Sequence, residues 1–477
     1  MAIASGATWE IRTGGADTNG GGFVTGGTDY SLQDTKRTAT GSDDSKTDAV
    51  ANGTTTITSA TANFTTALIG NIIYLAGGTG ALAAGWYQVT ARTNATTITV
   101  DRTVATGTGI TINIGGALAS LGQLGAIWSV QTNTDHRAWV KAGAYNLASG
   151  STNTSGGLCS VSVSGKWSLE GYNASRGDLS STRPVFTLTG ATASVTAILL
   201  SHTSASNGNR VSNLEVNCAN LTGSSGIANS GTTFLCKVSN ARNVGITGSA
   251  TTGGISLAIA CEVTGSGSAS TAGTSNLTPI WCYVHDLTNA IGYQIPAGGF
   301  AAYSIADTCR GTAASRGFDM AGSSAAAYCV AYNNQGSGFF FQGNVTNGRI
   351  TLLNCIAESN SAWGVDDSNA SGVSQNLVLN CAFYANTSGS TSISAYSIST
   401  GALTGSGSFF TNAPSGDFSL NATAGAGAIL RGAGYPTVFP GGLTTTATHV
   451  GAWQASAAGG GGASSAVPRF VNGGFVQ

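Results

Sequence analysis

Asp319 and Asp366 stand in the same short context, each as the third residue of a Gly-apolar-Asp triplet, and Phe340 holds the corresponding place between them. If the three positions lie on successive turns of a repeat, the two carboxylates are about 10 Å apart. An inverting glycosidase holds its acid and base roughly 6.5 to 9.5 Å apart, so the pair is at or just beyond that limit. The pair is therefore a candidate for acid–base cleavage of a polysaccharide.

Further acids and several aromatic residues accompany this pair. Asp367 and Glu358 are additional catalytic candidates within one turn. Aromatic rings bind sugars by stacking, and the candidate glycan-binding residues are Tyr293, Phe340, Phe341 and Trp363. The alternative interpretation is that the acids are exposed or turn-capping residues without a catalytic role. The aromatic side chains would then bind glycans or pack between subunits.

Other chemistries find no support in the spacing of residues. The histidines His136, His202, His285 and His449 are isolated, and no HxH, HExxH or CxxC occurs. Neither a GxSxG nucleophile elbow nor a GxxxxGK[ST] phosphate loop is present. His285 followed by Asp286 is interpreted as a polar surface pair. The sequence therefore predicts no metal site and no cofactor.

Composition excludes some classes of partner. Charged residues make up 8% of the chain, the formal net charge is -1, and 70 of 477 residues are glycine. The largest basic cluster is Lys36-Arg37, so nucleic-acid binding is not expected. No run approaches the ~18 apolar residues of a membrane span, and the N-terminus lacks the basic and apolar regions of a secretory signal. We expect no membrane insertion and no secretory route.

The elements that must position these residues are indicated by the cysteines. From Cys218 to Cys381 the steps are 18, 25, 21, 27, 20, 26 and 26, with a mean of (381 − 218)/7, or about 23. Apolar residues alternate around most of them, as in short strands. This pattern predicts a solenoid whose coils stack about 4.8 Å apart, with one interior cysteine ladder, unless the spacing is chance in a Gly/Ser-rich chain. The predicted ladder is Cys218, Cys236, Cys261, Cys282, Cys309, Cys329, Cys355 and Cys381.

Two further columns are in phase with the cysteines. A glycine followed by an apolar residue recurs eight to ten residues later, as in Gly292-Tyr293 and Gly338-Phe339, which predicts a second strand after a glycine corner. The asparagines before Cys355 and Cys381 are predicted to exchange amide hydrogen bonds between turns.

The chain is predicted to be an all-β protein with four parts. Residues 1–35 are glycine-rich and predicted to be an irregular docking arm. Residues 36–114 alternate as short strands of a small β-barrel or sandwich. Residues 115–454 form the parallel β-helix, which begins with a short amphipathic capping helix. Residues 455–477 are a glycine-rich linker and a flexible C-terminal arm.

Several segments of the sequence resemble known groups of proteins. The helical lead-in, "WVKAGAYN", the Asn-Cys coils and the closing "HVGAWQ" resemble right-handed parallel β-helix proteins of the pectate-lyase-like superfamily, over about 115–454. The opening "TWEIRTGGADTNGGGF", with "GWYQVTARTNATTITVDR" and "GGALASL", is similar to tailed-bacteriophage virion proteins. The order of Gly-Arg-Ile at 348–350 and Asp-Asp at 366–367 departs from that of polygalacturonases, and the intervening His is absent, so no catalytic residue carries over.

The resemblance implies a virion structural protein, either a tail spike or tail fibre or a capsid-attached fibre or decoration protein, with a host-surface or glycan-binding role. Such proteins are often homotrimers, are made in the host cytoplasm and join other virion proteins on the particle. The alternative is a tailspike polysaccharide depolymerase, a hydrolase or lyase acting through surface Asp residues. A bacterial surface adhesin is disfavoured by the missing signal peptide. The sequence favours the non-enzymatic reading and leaves catalysis undecided.

Overall fold

The structure of the protein is a computed structural model. It describes residues 3–36, 46–131, 135–162, 165–192, 194–201, 208–248, 256–265, 272–312, 314–342, 349–367, 375–393, 397–434, 449–452, 469–471 and 474–476. Nearly all regular structure in these ranges is β. The strands form a 13-stranded sheet and a 21-stranded sheet, both built almost entirely from parallel pairs, and a separate seven-stranded antiparallel sheet.

The parallel strands form three columns, because each coil contributes one strand to each column. The column of the 13-stranded sheet is called the first sheet, and the two columns of the 21-stranded sheet are called the second and third sheets. The parallel strands of the first sheet are Thr8–Ile11, His136–Lys141, Trp167–Tyr172, Arg210–Ser212, Thr232–Phe234, Leu257–Ile259, Thr278–Ile280, Phe300–Ala302, Ala325–Ala327, Thr351–Leu353, Leu377–Leu379 and Ile398–Thr400. Gly22–Phe23 pairs antiparallel with Thr8–Ile11 at its edge.

The second and third sheets follow in each coil. The strands of the second sheet are Ala144–Thr152, Val185–Thr189, Glu215–Asn217, Lys237–Ser239, Glu262–Thr264, Tyr283–His285, Ile305–Asp307, Val330–Tyr332, Ile356–Glu358, Ala382–Tyr384 and Leu403–Thr404. The strands of the third sheet are Gly157–Ser162, Thr196–Ser201, Ser225–Asn229, Val244–Gly248, Ala272–Ser275, Ile291–Ile295, Phe318–Met320, Phe339–Phe341, Trp363–Asp366 and Gly389–Ser392. Together the three sheets make a right-handed parallel β-helix, as expected from the sequence.

Most strands have only three residues because the interior is narrow. In the first and second sheets the middle residue points inward and its two neighbours point outward, so a period of two places one small apolar side chain inside per coil. The third sheet supplies larger rings, and Tyr293, Phe318 and Phe339 stack along the axis with centroids 4.7 and 4.9 Å apart. These stacked side chains are the core of the solenoid.

The corner between the first and second sheets explains the cysteine spacing. All nine cysteines are buried free thiols, but the eight predicted to form one ladder occupy two corners. Cys218 and Cys309 follow strands of the second sheet, so the single ladder is wrong for them. Ser304 takes the ladder position between Cys282 and Cys329, where its hydroxyl accepts a hydrogen bond from the Cys282 backbone N–H at 3.2 Å. The carbonyl-to-amide bonds that link successive coils at this corner trace the column Leu214, Cys236, Cys261, Cys282, Ser304, Cys329, Cys355 and Cys381.

The N-terminal segment departs from the prediction of an irregular arm. Thr8–Ile11 pairs in parallel with His136–Lys141 and so forms the first strand of the β-helix. The alternation in this strand buries the side chains of Trp9 and Ile11 completely. The glycine-rich flanks made this strand hard to recognise from the sequence. Glu10 points to the other side and is held by two ion pairs, with Arg12 at 2.9 Å and Arg176 at 2.6 Å.

The seven-stranded antiparallel sheet lies between the first and second strands of the first sheet in chain order. Its strands are Lys46–Ala51, Thr56–Thr58, Ile72–Ala76, Thr79–Gly80, Gly85–Asn94, Thr97–Val100 and Gly107–Ile114, with the 3-10 turn Thr66–Leu68. A separate apolar core fills it. The helix Leu121–Trp128 follows, starting at Ser120, whose hydroxyl accepts a hydrogen bond from the Gln123 backbone N–H.

The C-terminal part of the described chain covers the outer face of the second sheet. The strands Phe410–Asn412 and Asp417–Leu420 form a hairpin, and the 3-10 turns Ala413–Ser415 and Gly427–Leu430 accompany it. Phe409, Phe418 and Leu430 pack against outward side chains of the second sheet such as Val330 and Ile356. Arg469–Val471 and Gly474–Val476 form a final antiparallel pair. Most of the predicted arm at 455–477 lies outside the described residues.

Candidate functional site

The outer face of the third sheet carries one outward side chain per coil in a straight row, which we call the outer row. Backbone pairing joins Gln294 to Asp319, Asp319 to Phe340 and Phe340 to Asp366. The full row is Thr247, Ser275, Gln294, Asp319, Phe340, Asp366 and Ser392. Because adjacent strands are about 4.8 Å apart, Asp319 and Asp366 lie roughly 10 Å apart across two coils.

Asp319 is firmly held by its own chain. Its side chain ion-pairs with Arg316 at 3.2 Å and accepts a hydrogen bond from the Gln342 side-chain amide at 2.8 Å. Burial leaves the residue 4% exposed. The same burial raises the pKa of the Asp319 carboxyl, against the opposing effects of Gln342 and Arg316. A carboxyl with a raised pKa can donate a proton, but here it is also a structural partner.

Asp366 is partly exposed, whereas Phe340 is buried. The Asp366 carboxylate is half-buried and accepts a hydrogen bond from the Ser337 hydroxyl at 3.2 Å. Phe340 separates the two aspartates, and the guanidinium of Arg316 lies 3.2 Å from the centre of its ring. The ring is 5% exposed, so its face is occupied by arginine and is not a free platform for a sugar.

The other predicted glycan-binding residues differ in accessibility. Tyr293 and Phe341 point into the solenoid core and are fully buried, so they cannot contact a glycan. The physical reason is strand alternation, which puts Phe341 on the interior side opposite to Phe340. Trp363 is half-buried, with its ring against Gly389 of the following coil. Of the four candidates, Trp363 alone retains substantial exposed surface.

Two predicted catalytic candidates are structural residues. Asp367 is fully buried and accepts hydrogen bonds from the Asn376 amide at 3.0 Å and the Ser397 hydroxyl at 2.5 Å. Glu358 is buried beneath the C-terminal cover and accepts the Phe409 backbone N–H at 3.0 Å. Burial raises the pKa of Glu358, although the hydrogen bonds of the 408–409 segment oppose the effect. Both acids are buried and engaged by their own chain, so neither is accessible to a substrate.

An interior asparagine ladder went unpredicted. The Asn334 side-chain amide donates to Oδ1 of Asn360 at 2.9 Å, and that of Asn360 donates to Oδ1 of Asn386 at 2.8 Å. Each amide also donates to a backbone carbonyl of the preceding coil, as Asn360 does to Ala331. The column lies at the corner between the second and third sheets, and Cys309 continues it. The available signal was the Asn that lies two residues after the second-sheet strand in three successive coils.

A charged cluster on the outer face of the second sheet was also missed. His285 contacts Asp286 at 2.8 Å, as its position suggested, but its other ring nitrogen contacts Glu262 of the preceding coil at 3.2 Å. Lys237 ion-pairs with the same Glu262 oxygen at 3.0 Å, and the ring of Tyr283 stacks on the imidazole with centroids 4.2 Å apart. Only the coil register, which linear spacing does not show, brings these residues together.

Within the described ranges, no three His, Cys, Asp or Glu side chains are grouped as ligands for a metal ion. The described helices include none with the length and apolar character needed to cross a bilayer.

Comparison with known proteins gives distant structural similarities. No known protein family matches the sequence, and no curated protein sequence matches it. Among solved structures, a pectate lyase is similar with 17% identity and a TM-score of 0.47, over 71% of this chain and 92% of that one. The catalytic unit of an alpha-1,3-glucanase from Streptomyces thermodiastaticus shares 10% identity and a TM-score of 0.35, over 70% and 86%. A protein of Geobacillus virus E2 shares 10% identity and a TM-score of 0.33, over 56% and 52%. At this distance the likeness concerns the β-helix and carries no argument about activity.

Proposed function

We propose that the protein is a structural virion protein of a tailed bacteriophage that binds a host-surface polysaccharide along the outer row without cleaving it. It is a tail spike or tail fibre, or a capsid-attached fibre or decoration protein. In this proposal it is made in the host cytoplasm, joins other virion proteins on the particle and functions as a homotrimer. The sequence likeness of the first 120 residues to virion proteins supports the location.

The observation that carries the binding role is the composition of the outer row. Hydrogen-bonding side chains stand at intervals of about 4.8 Å along a straight line, and Phe340 interrupts them once. Gln294, Asp366 and Ser392 are partly exposed, while Asp319 is fixed by Arg316 and Gln342. An extended, hydroxyl-rich chain laid along the solenoid axis would meet the partly exposed polar side chains Thr247, Gln294, Asp366 and Ser392. Rigid, preorganised polar groups favour such binding.

The state of the carboxylates supports binding over cleavage. Asp319 is engaged by Arg316 and Gln342, and Phe340 with its stacked arginine fills the space between the two acids. A hydrolytic pair would need room there for a water or a scissile bond. Asp366 therefore acts as a hydrogen-bond acceptor for sugar hydroxyls in this proposal, while Asp319 holds Arg316 and Gln342 in place.

Co-sedimentation with insoluble bacterial envelope polysaccharides tests the binding role. Gln294→Ala and Asp366→Ala remove partly exposed side chains of the outer row and should each weaken binding about tenfold. Ser239→Ala, on the outer face of the second sheet, is the matched control and should leave binding unchanged. Equal binding by all four proteins, or binding by none, would contradict the proposal.

A second experiment tests the location on the particle. Antibodies against the protein should label intact phage particles at one defined position in electron micrographs. Label confined to lysate debris would contradict a virion role and leave the binding measurement untouched.

The second candidate function is polysaccharide cleavage, and one observation favours it. The buried Asp319 has a raised pKa and stands two coils from the half-buried Asp366, which is the pairing of an acid with a base. In this alternative Asp319 protonates the glycosidic oxygen and Asp366 activates water. Arg316 would then have to leave the Phe340 ring on substrate binding.

A further inference from the structure

The outer face of the first sheet is apolar where a solvent-facing sheet is normally polar. Its strands have one outward residue on each side of the buried central position, and the outward residue that ends each strand forms a row linked by backbone pairing from coil to coil. That row includes Phe234, Ile259, Ile280, Ala302, Ala327, Leu353 and Leu379, and all are partly exposed except Ala302, which is buried with Tyr303 and Tyr328. We call this surface the apolar face.

The other two outer faces resolve the same problem differently. Apolar side chains on the second sheet are buried under the C-terminal cover, for example Ile356 against Phe409 and Val450. The third sheet carries the polar outer row. On the apolar face, by contrast, partly exposed apolar side chains continue to the last strand, where Ile398, in the row that begins each strand, is 55% exposed. A long apolar surface that stays partly exposed marks an interaction site.

The size and shape of the apolar face favour a second copy of the chain as its partner. From Thr232–Phe234 to Ile398–Thr400 it spans seven strand spacings, or about 34 Å. Its two outward rows, the second of which includes Thr232, Thr278 and Thr351, make it about 10 Å wide. The area of roughly 350 Å² is less than the about 800 Å² per partner of a standard interface, so it would be the centre of such an interface. Another copy offers a straight row of the same length, and closed symmetric assemblies bring equivalent surfaces together.

The strands before the apolar face supply a polar rim. Arg137 and Arg210 both ion-pair with Glu170 on the same outer surface, at 3.1 and 3.7 Å. Trp139 lies beside them, half-buried, with the Arg137 guanidinium 5.3 Å from its ring centre. An apolar centre bordered by arginine, an aromatic side chain and paired charges is the usual composition of a subunit interface. Including this rim, the surface extends over ten strand spacings, or about 48 Å.

We propose that the apolar face of the first sheet is the contact surface between copies of this chain. The proposal specifies the surface and does not rest on glycan binding. Association through this face can therefore fail while polysaccharide binding holds, and the reverse is equally possible.

Sedimentation of the full-length protein at micromolar concentration tests the proposal. The wild-type protein should be oligomeric, and Leu353→Lys or Leu379→Lys should raise the dissociation constant at least about tenfold because a charge enters the apolar centre. Ser239→Lys, outward on the second sheet, is the control and should associate like the wild type. A monomeric wild type, or variants that associate normally, would overturn the proposal.

Cross-linking gives a second readout that does not depend on the lysine variants folding. The nine native thiols are buried, so a cysteine introduced at an outward position is the accessible one. Ala327→Cys should give a covalent dimer with a short bifunctional maleimide, and Ser239→Cys should not. Cross-linking at position 239 but not at 327 would place the contact on another face and contradict the proposal. Absence of cross-links at both positions would contradict it as well.

Discussion

The side-chain amide of Asn380 donates a hydrogen bond to Oδ1 of Asn354, one coil away, at 2.8 Å. Both residues have left-handed backbone φ angles, 51° and 54°, at the corner between the first and second sheets. Asparagine tolerates this conformation better than most residues, and its amide can donate and accept at once. The pair therefore fixes both the bend and the stacking of successive coils, and it is the relation that the two Asn-Cys sequences predicted.

The interior asparagine ladder should be a major source of stability. Asn360→Ala removes the acceptor used by the Asn334 amide and leaves the Ala331 carbonyl without the Asn360 donor. Buried polar groups left unsatisfied cost about 1 to 3 kcal/mol each, so we expect a loss of about 2 to 4 kcal/mol in the free energy of unfolding. Chemical denaturation measures it. Asn173→Ala, in a half-exposed loop, should change stability by less than about 0.5 kcal/mol; similar losses for both variants would contradict the ladder's role.

The cysteine corner should reject charge and tolerate small side chains. Cys355 is 1% exposed, and its thiol donates to the Ala326 carbonyl of the preceding coil at 3.5 Å. Cys355→Lys buries an unpaired ammonium, so we expect a loss of about 3 to 5 kcal/mol, whereas Cys355→Ala should cost about 1 kcal/mol. Thermal melting followed by circular dichroism compares the two. An unchanged midpoint for the lysine variant would mean that this column faces solvent.

Glu358 should make the stability of the C-terminal cover depend on pH. Its folded-state pKa is raised above the ordinary value of 4.5 by burial, so its contribution is complete below that value and is lost as pH rises through the folded pKa. Glu358→Gln keeps an acceptor for the Phe409 N–H without the ionised carboxylate. The unfolding free energy of the variant should therefore fall less than that of the wild type between acidic and neutral pH. Parallel pH profiles would contradict this assignment.

His285 should contribute in the opposite sense to Glu262. Burial acts to lower the His285 pKa, but hydrogen bonds with Glu262 and Asp286 raise it above 6.5, so its contribution is complete below 6.5 and is lost as pH rises through the folded pKa. Burial acts to raise the Glu262 pKa, but His285 and Lys237 lower it below 4.5, so its contribution is lost at acidic pH. We therefore expect His285→Gln to lower the free energy of unfolding most between pH 4.5 and pH 6.5. Equal destabilisation of the variant at neutral and alkaline pH would argue against it.

The repeated coils of the β-helix could be predicted from the sequence, but the C-terminal cover of the second sheet could not. One small buried side chain per corner made the coil length visible at Cys329, Cys355 and Cys381, because a narrow interior tolerates little else. Loops of varying length then shifted Cys218 and Cys309 into the same apparent series. The cover of the second sheet remained hidden, since the contact of Phe409 with Glu358 joins residues 51 apart.

The candidate site shows the same limit at the level of single residues. The register of Asp319, Phe340 and Asp366 followed from their shared context. The face of the strand that each residue occupies could not be predicted, because alternation alone does not show which side of a strand is interior. Tyr293 and Phe341 were therefore expected outside and lie inside. The contact of the Arg316 guanidinium with the Phe340 ring is a tertiary contact that residue spacing does not predict.

The most direct test of the proposed function is a reducing-end assay on bacterial envelope polysaccharide that the wild-type protein has been shown to bind. The proposed function predicts that the polysaccharide keeps its length through prolonged incubation, for the wild type and for Asp366→Asn alike. Sustained release of reducing ends by the wild type, abolished by Asp366→Asn while binding persists, would show that the outer row is a catalytic site and contradict a purely binding role.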